Sequence, residues 1–282
     1  MLLTVLVGAG ATSLMPLGLL TGAAATLAGA LVAGWTVLAL DGRPPGALGF
    51  YLARASARES LAGLAVGVGV ASTIIALIAL AGALRWSPEP GTGADWLVGA
   101  GAAAAFLAVP AAAEEAVLRG YPLQALAEAW GPAWALWITA VAFGALHLGN
   151  PGVNALAAAN VAGAGLLLGV VYLRTGSLWW ATGVHLGWNW AQGYLADLPV
   201  SGLELMDAPF YEGVPAGPGW IGGGAFGPEG SVLTTLVLLA ATALLWTRPW
   251  LRPSAAALAS DPLAITPRDG EAGGGRRAGA RA

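Results

Sequence analysis

The sequence predicts an all-α protein, a polytopic transmembrane bundle of about eight helical spans, and three observations predict it. Of its 282 residues, 57 % are hydrophobic and the mean hydropathy is +0.72. Only 10 % are charged, against roughly 25 % in a soluble domain. The charges also avoid long runs: residues 96–113 and 129–173 contain no Asp, Glu, Lys or Arg. A membrane-spanning helix needs about 20 apolar residues, and this chain supplies such stretches repeatedly.

Residues 1–40 are long enough for two spans, hinged around MPLGLLTG (15–22). They carry no charge and no basic leading segment, so they read as membrane helix rather than as a cleavable signal. Residues 61–84 make the third span. Residues 96–119 make the fourth, closed ahead of Pro122 because proline disfavours helix in the residue before it. The turn GNPG (149–152) divides 129–173 into a fifth and a sixth. Residues 175–196 give the seventh and 230–247 the eighth.

The organisation expected is therefore N-terminal membrane helices over 1–94, a core over 95–197, an outer Gly/Pro-rich loop over 198–229, a last membrane helix over 230–252, and a tail over 253–282. The loop fits a lid or a plain connector, the connector being the simpler reading. The Gly/Ala/Arg tail has no hydrophobic periodicity and is expected to be disordered. Its arginines fit contact with anionic lipid or plain solvation.

All twelve basic residues are arginine. Arg43, Arg54, Arg58, Arg119, Arg174, Arg248, Arg252, Arg268, Arg276, Arg277 and Arg281 fall on one side of the predicted spans. Arg85 alone falls on the other, with Glu89, Asp95, Asp197, Glu204, Asp207, Glu212 and Glu229. The basic side should be the cytoplasm, which places both termini inside. No basic stripe outside the tail offers a surface for nucleic acid, so the partner expected is the lipid bilayer. The absence of cysteine excludes disulfides, thiolate metal sites and cysteine nucleophiles.

Against this background EEAVLR (114–119) is anomalous. An ionisable side chain inside a span costs at least about 2.5–3.5 kcal/mol on insertion scales and usually faces a bundle interior or a cavity. Glu115 and Arg119 are spaced i, i+4 with the acid first, the favourable order for a helical ion pair. That pair leaves Glu114, which points about 100° away and has no basic residue at i±3 or i±4. A carboxylate so placed suits a general base. Pro110 lies one turn earlier and frees the carbonyl of Phe106, although an ordinary membrane-helix proline explains it equally. Both histidines of the chain also fall in spans: His147 in FGALHLGN and His185 in GVHLGWNW. Phe143 stands four residues before His147, and Asn189 four after His185 on the same face.

Three chemistries fit these residues. Glu and His activate a water for attack on an amide, with a second His and an Asn as oxyanion donors. Two His and a carboxylate ligate zinc, here Glu114, His147 and His185, although HExxH is absent. A transporter would use the same groups as a proton relay.

The set EExxxR (Glu114, Glu115, Arg119), FxxxH (Phe143, His147) and HxxxN (His185, Asn189), in that order on three membrane helices, resembles the CPBP family of CAAX proteases and bacteriocin-processing enzymes, also called the Abi family. Its eukaryotic members are the Ras-converting CAAX prenyl endopeptidases. The resemblance covers roughly residues 95–195 and extends to RG (119–120) and RTGSLW (174–179). It implies an intramembrane endopeptidase acting on a peptide or membrane-protein substrate. Glu114 and His147 would activate water, His185 and Asn189 would hold the oxyanion, and Glu115 and Arg119 would orient the site. It also implies a bacterial plasma-membrane protein, in line with the Lys-free, Ala/Gly-rich composition; prenylated substrates are not carried over, because bacteria mostly lack them. The family has been described both as metalloproteases and as glutamate-dependent proteases. Asn189 is a poor zinc ligand and a good amide donor, so a cofactor-free mechanism is favoured, with Zn²⁺ as the alternative. The rival from another class is a non-proteolytic transporter or partner-binding scaffold. A transporter wants charges along a path and often internal repeats, and neither is visible.

One length check constrains the site. At 1.5 Å per residue, His147 lies about 24 Å from Gly131 but about 15 Å from Trp137. Taking Trp134 and Trp137 as the interface puts the GNPG turn within the membrane. That is allowed only beside protein or a watery cavity, so the expectation is an aqueous cavity open to the cytoplasm.

Overall fold

The computed structural model describes residues 15–262. Apolar stretches become helices, and short polar residues mark several of their starts. The elements in order are α1 (Met15–Leu40), α2 (Arg54–Leu80), β1 (Leu84–Pro88), α3 (Gly93–Leu118), α4 (Tyr121–Trp130), α5 (Pro132–Leu146), α6 (Ala155–Thr175), α7 (Leu178–Trp190), β2 (Tyr211–Pro215), α8 (Gly219–Gly222), α9 (Val232–Thr247) and α10 (Ala255–Ala259). Thr92, Asn154, Ser177 and Ser231 cap α3, α6, α7 and α9, each side chain accepting from a backbone N–H of the first turn.

Four helical stretches are long and apolar enough to cross a bilayer: Leu17–Leu40, Arg54–Leu80, Gly93–Trp130 and Ala155–Thr175. The expected count of eight is not reproduced. Residues 15–22 form continuous helix in α1 rather than a hinge, and residues 1–14 lie outside the described part. With 15, 13 and 16 residues, α5, α7 and α9 reach only about 20–24 Å, short of a hydrocarbon core of about 30 Å. The α5–α6 turn is touched by the 198–229 segment, but Gly149, Pro151 and Gly152 stay exposed. Asn150 Nδ2 donates to the Ser201 carbonyl at 2.9 Å, and a Cβ built on Gly152 would meet Ala225.

The closest helix contact joins α2 to α7. Gly63 and Gly67 face Gly183 and Gly187, and the backbones nearly touch: a Cβ on Gly67 would lie 2.0 Å from the Val184 carbonyl oxygen, and one on Gly187 would lie 2.3 Å from that of Leu64. Membrane helices have no hydrophobic drive to associate inside lipid, so they use small residues to bring backbones together. A G-x-x-x-G spacing stands on each helix, and His185 rides on α7 between its two glycines.

The two ends of the bundle differ. At one, Arg43 pairs with Asp261 at 3.2 Å, Tyr121 donates to Asp41, and Arg174 donates to the Arg248 carbonyl. Buried Glu59 accepts there from Tyr51 and from Ser177 Oγ, and burial beside Glu59 pushes the Tyr51 hydroxyl up to about 12. At the other, β1 pairs antiparallel with β2, and Trp96 and Tyr211 hydrogen-bond. Arg43, Arg174 and Arg248 thus stand at the first end and Arg85, in β1, at the second, while Arg119 is drawn inward (0 % exposed).

Two expectations need correction. The 198–229 segment is no plain connector: Leu198, Val200, Leu203, Ala208 and Phe226 are buried, and the segment, which contains β2, packs on the bundle as a roof. The start of the tail is not disordered either. Residues 253–262 contain α10, bury Ala257, and pack Ser260 beside Gly46. Residues 263–282 lie outside the described part.

Candidate active site

Glu114, His147, His185 and Asn189 line one cavity of about 320 Å³ between α1, α3, α5, α6, α7 and the roof. The sequence placed these residues on three separate helices, and folding brings them together. Phe106 and Pro110 line the same cavity, and α3 continues through Pro110 without a break.

Glu115 and Arg119 are both fully buried and pair through Arg119 Nη1 at 3.0 Å, as their spacing predicts. Arg119 Nη2 also donates to the Gly165 carbonyl at 2.8 Å, and the guanidinium lies 4.7 Å from the centroid of the Phe143 ring. The second partner of Glu115 was not legible in sequence: His185 Nδ1 lies 2.9 Å from Glu115 Oε1. A carboxylate only accepts, so Nδ1 carries the hydrogen. This leaves His185 Nε2 3.8 Å from Glu114 Oε2, beyond direct hydrogen-bond reach. Glu114 therefore does have a potential cation beside it, on α7 rather than on its own helix.

His147 is the C-cap of α5 rather than an interior residue, and it is half-buried. Its Nδ1 lies 2.8 Å from the Phe143 carbonyl, which can only accept. In the neutral ring Nε2 is then the free acceptor. The Phe143 ring packs 4.8 Å from that of His147 and 5.8 Å from that of His185, setting both imidazoles from one aromatic wedge.

Sequence reading missed several polar residues here. Glu229, Ser201 and Asn150 line the far end of the cavity. By its position in the chain, Glu229 reads as one of the loop charges. The available signal is an acid with no nearby base, three residues before the last apolar run. Among the described residues no group of three or more His, Asp or Glu side chains takes up a metal-holding arrangement. His147 Nδ1 and His185 Nδ1 both face protein acceptors, which leaves the two Nε2 atoms as the ring nitrogens that could hold a metal.

Removal of the guanidinium should be costly to the fold. Arg119→Ala leaves the Glu115 carboxylate buried with only His185 against it, and breaking such a pair costs about 3–5 kcal/mol. Thermal unfolding in detergent should fall accordingly, and an unchanged transition would show that the pair is not buried.

The general class that the fold and the site define is a helical membrane bundle with a carboxylate–imidazole cluster inside it. Residues 94–191 match the family described as Rce1-like, type II CAAX prenyl endopeptidase. That stretch is a domain of this family, which is part of the CPBP family, and the family implies protease activity. The matched residues include Glu114, Glu115, Arg119, His147, His185 and Asn189. No curated protein and no solved structure matches the chain.

Proposed function

We propose that the chain is an intramembrane endopeptidase that hydrolyses a peptide bond with water activated by Glu114 and His147. The observation that carries this reading is the chain Arg119–Glu115–His185, with Glu114 across the gap and His147 and Asn189 in the same cavity. Water lies between Glu114 and His147 Nε2 and loses a proton to this pair as its oxygen attacks the scissile carbonyl carbon. The carbonyl oxygen becomes an oxyanion. Asn189 Nδ2 donates to it, and so does His185 Nε2. Because Nδ1–H of His185 is committed to Glu115, Nε2 donates only in the imidazolium. Two carboxylates and one guanidinium leave a net charge of −1, which an imidazolium neutralises, as a buried cluster requires. The intermediate then collapses, the C–N bond breaks, and the proton taken from water passes to the leaving amine. Arg119 and Glu115 hold the ring and do not touch substrate.

The substrate class is a peptide segment presented within or at the membrane. A proteomic comparison of membranes carrying wild type or Glu114→Ala tests this directly. Substrates should accumulate uncleaved in the variant, and identical peptide patterns would count against proteolysis.

The protein is read as a plasma-membrane protein of a bacterium, with the arginine-rich end in the cytoplasm and the roof outside. Reporters fused at the C-terminus and inserted at Gly217 should then report opposite sides. A shared side would sink this topology.

A further inference from the structure

We propose that Glu229 is a positioning residue of this site, tying the end of α7 that presents Asn189 to the roof that closes the cavity. The proposal rests on the protease reading for its kinetic part, and on geometry alone for the rest.

Glu229 is 4 % exposed and stands in the turn before α9, on the cavity wall. Its Oε1 accepts from both the backbone N–H and the hydroxyl of Ser201, each at 3.1 Å. Its Oε2 accepts from Gln192 Nε2, and the same nitrogen donates to the Pro199 carbonyl. That carbonyl can only accept, which fixes the Gln192 amide with its NH₂ toward Glu229. Glu229 is thus met by donors only, a setting made for an acceptor. No cation pairs with it among the described residues.

Both ends of the tie are places where the backbone departs from regular structure. Gln192 lies in a π-helical turn, 191–195, that begins one residue after α7 ends and two residues after Asn189. Such turns re-aim the residues beside them and recur at functional sites. Ser201 has φ +49, a left-handed backbone that L residues seldom adopt, and Gly202 follows at φ +80. Gly202 is also seated too close for a side chain, since a Cβ would meet the Pro151 carbonyl oxygen at 2.0 Å. Glu229 is the group that bonds to both irregular segments at once. Asn160 on α6 anchors it from behind, donating to the Glu229 and Ser231 carbonyls.

Around Glu229, α6 offers Asn160, the π turn Gln192, the roof Ser201, and the α5–α6 turn Asn150 and His147. Neither α9 nor α2 beyond Glu59 has a titratable residue. Burial pushes the Glu229 carboxyl up to about 7 against the hydrogen bonds that favour ionisation. The sign separates function from stability. A raised acid is stabilising while neutral: its contribution is present below the ordinary carboxylate value and is lost as pH rises through about 7. The acceptor that the tie needs is the ionised form.

Glu229→Gln keeps the shape and removes the acceptor facing Gln192. It should lower kcat by about 10–100-fold with KM nearly unchanged, because a misplaced oxyanion donor fails only in the transition state. Thermal unfolding should be unimpaired, since a neutral group meets no burial penalty. Wild-type kcat should rise with pH through about 7, and this step should be missing in the variant; Glu229→Asp, which keeps the charge, should recover part of both. Wild-type kcat and pH profile in Glu229→Gln would overturn the proposal. So would a parallel loss of kcat and unfolding temperature, which marks a merely structural bond. If the wild type cleaves nothing, the protease reading fails, and hydrogen exchange still decides the tie. The Ser201 amide should exchange at least about tenfold faster in Glu229→Ala than in wild type, and equal protection would refute it.

Discussion

Glu114→Gln is expected to lower turnover by about 10²–10⁴-fold, the range for losing a general base, while leaving the fold intact. The two halves of that expectation come from the same geometry. Glu114 keeps 21 % of its side chain exposed to the cavity, and its Oε2 makes no hydrogen bond within the protein. Nothing in the fold leans on it, in contrast to fully buried Glu115 one residue along. Asn189→Ala should cost roughly 10²–10³-fold if its amide supports the oxyanion. Metal analysis of wild type, His147→Ala, His185→Ala and Asn189→Ala separates the two mechanisms. Without a catalytic metal, purified enzyme should hold no stoichiometric zinc and survive chelation. One tightly bound zinc per chain, lost with either histidine and kept with Asn189→Ala, would overturn the glutamate mechanism and leave proteolysis standing.

The largest effect on folding is expected at a position that touches no part of the cavity. Gly67→Ala places a methyl 2.0 Å from the Val184 carbonyl oxygen and 2.8 Å from the Trp188 nitrogen. Both are backbone atoms, so no rotamer change relieves the clash and the helices must separate. Core overpacking ordinarily costs about 1–3 kcal/mol, and this substitution should exceed that, read as loss of monodisperse protein and a lowered unfolding temperature. Gly69→Ala on the same helix is the control, because nothing lies within 4 Å of its added Cβ. It should be neutral or gain up to about 1 kcal/mol from helix propensity. Equal behaviour of the two variants would show that α2 and α7 are not in backbone contact.

The parts of the fold legible in sequence are those set by local pattern. Hydropathy finds α3 and α6 to within about three residues and α2 with its start placed at 61 instead of Arg54, and the i, i+4 spacing finds the Glu115–Arg119 pair. What pattern cannot carry is contact between distant segments. His185 meets Glu115 because α7 packs beside α3, and no spacing within α7 says so. The roof was unreadable for the same reason. It has no helical or strand period, and its backbone groups are satisfied across the fold, as when Gly202 N–H donates to the Phe226 carbonyl. At residues 15–22 the proline and glycines suggested a hinge, yet membrane helices tolerate both. The short α10 strap is held by Ser254, Ser260 and Asp261 through partners some 200 residues away.

The glycine seam between α2 and α7 also decides how the protein bears mutational change. Residues lining a cavity of about 320 Å³ have free volume on one side, so many exchanges there alter shape without a collision. Gly63, Gly67, Gly183 and Gly187 have none, because each faces backbone on another helix. A saturation library should therefore return its most intolerant positions at four glycines that take no part in the chemistry. Their loss would register as loss of activity, since α7 carries both His185 and Asn189. Ranking positions by intolerance alone would then place docking glycines above the residues that meet the substrate.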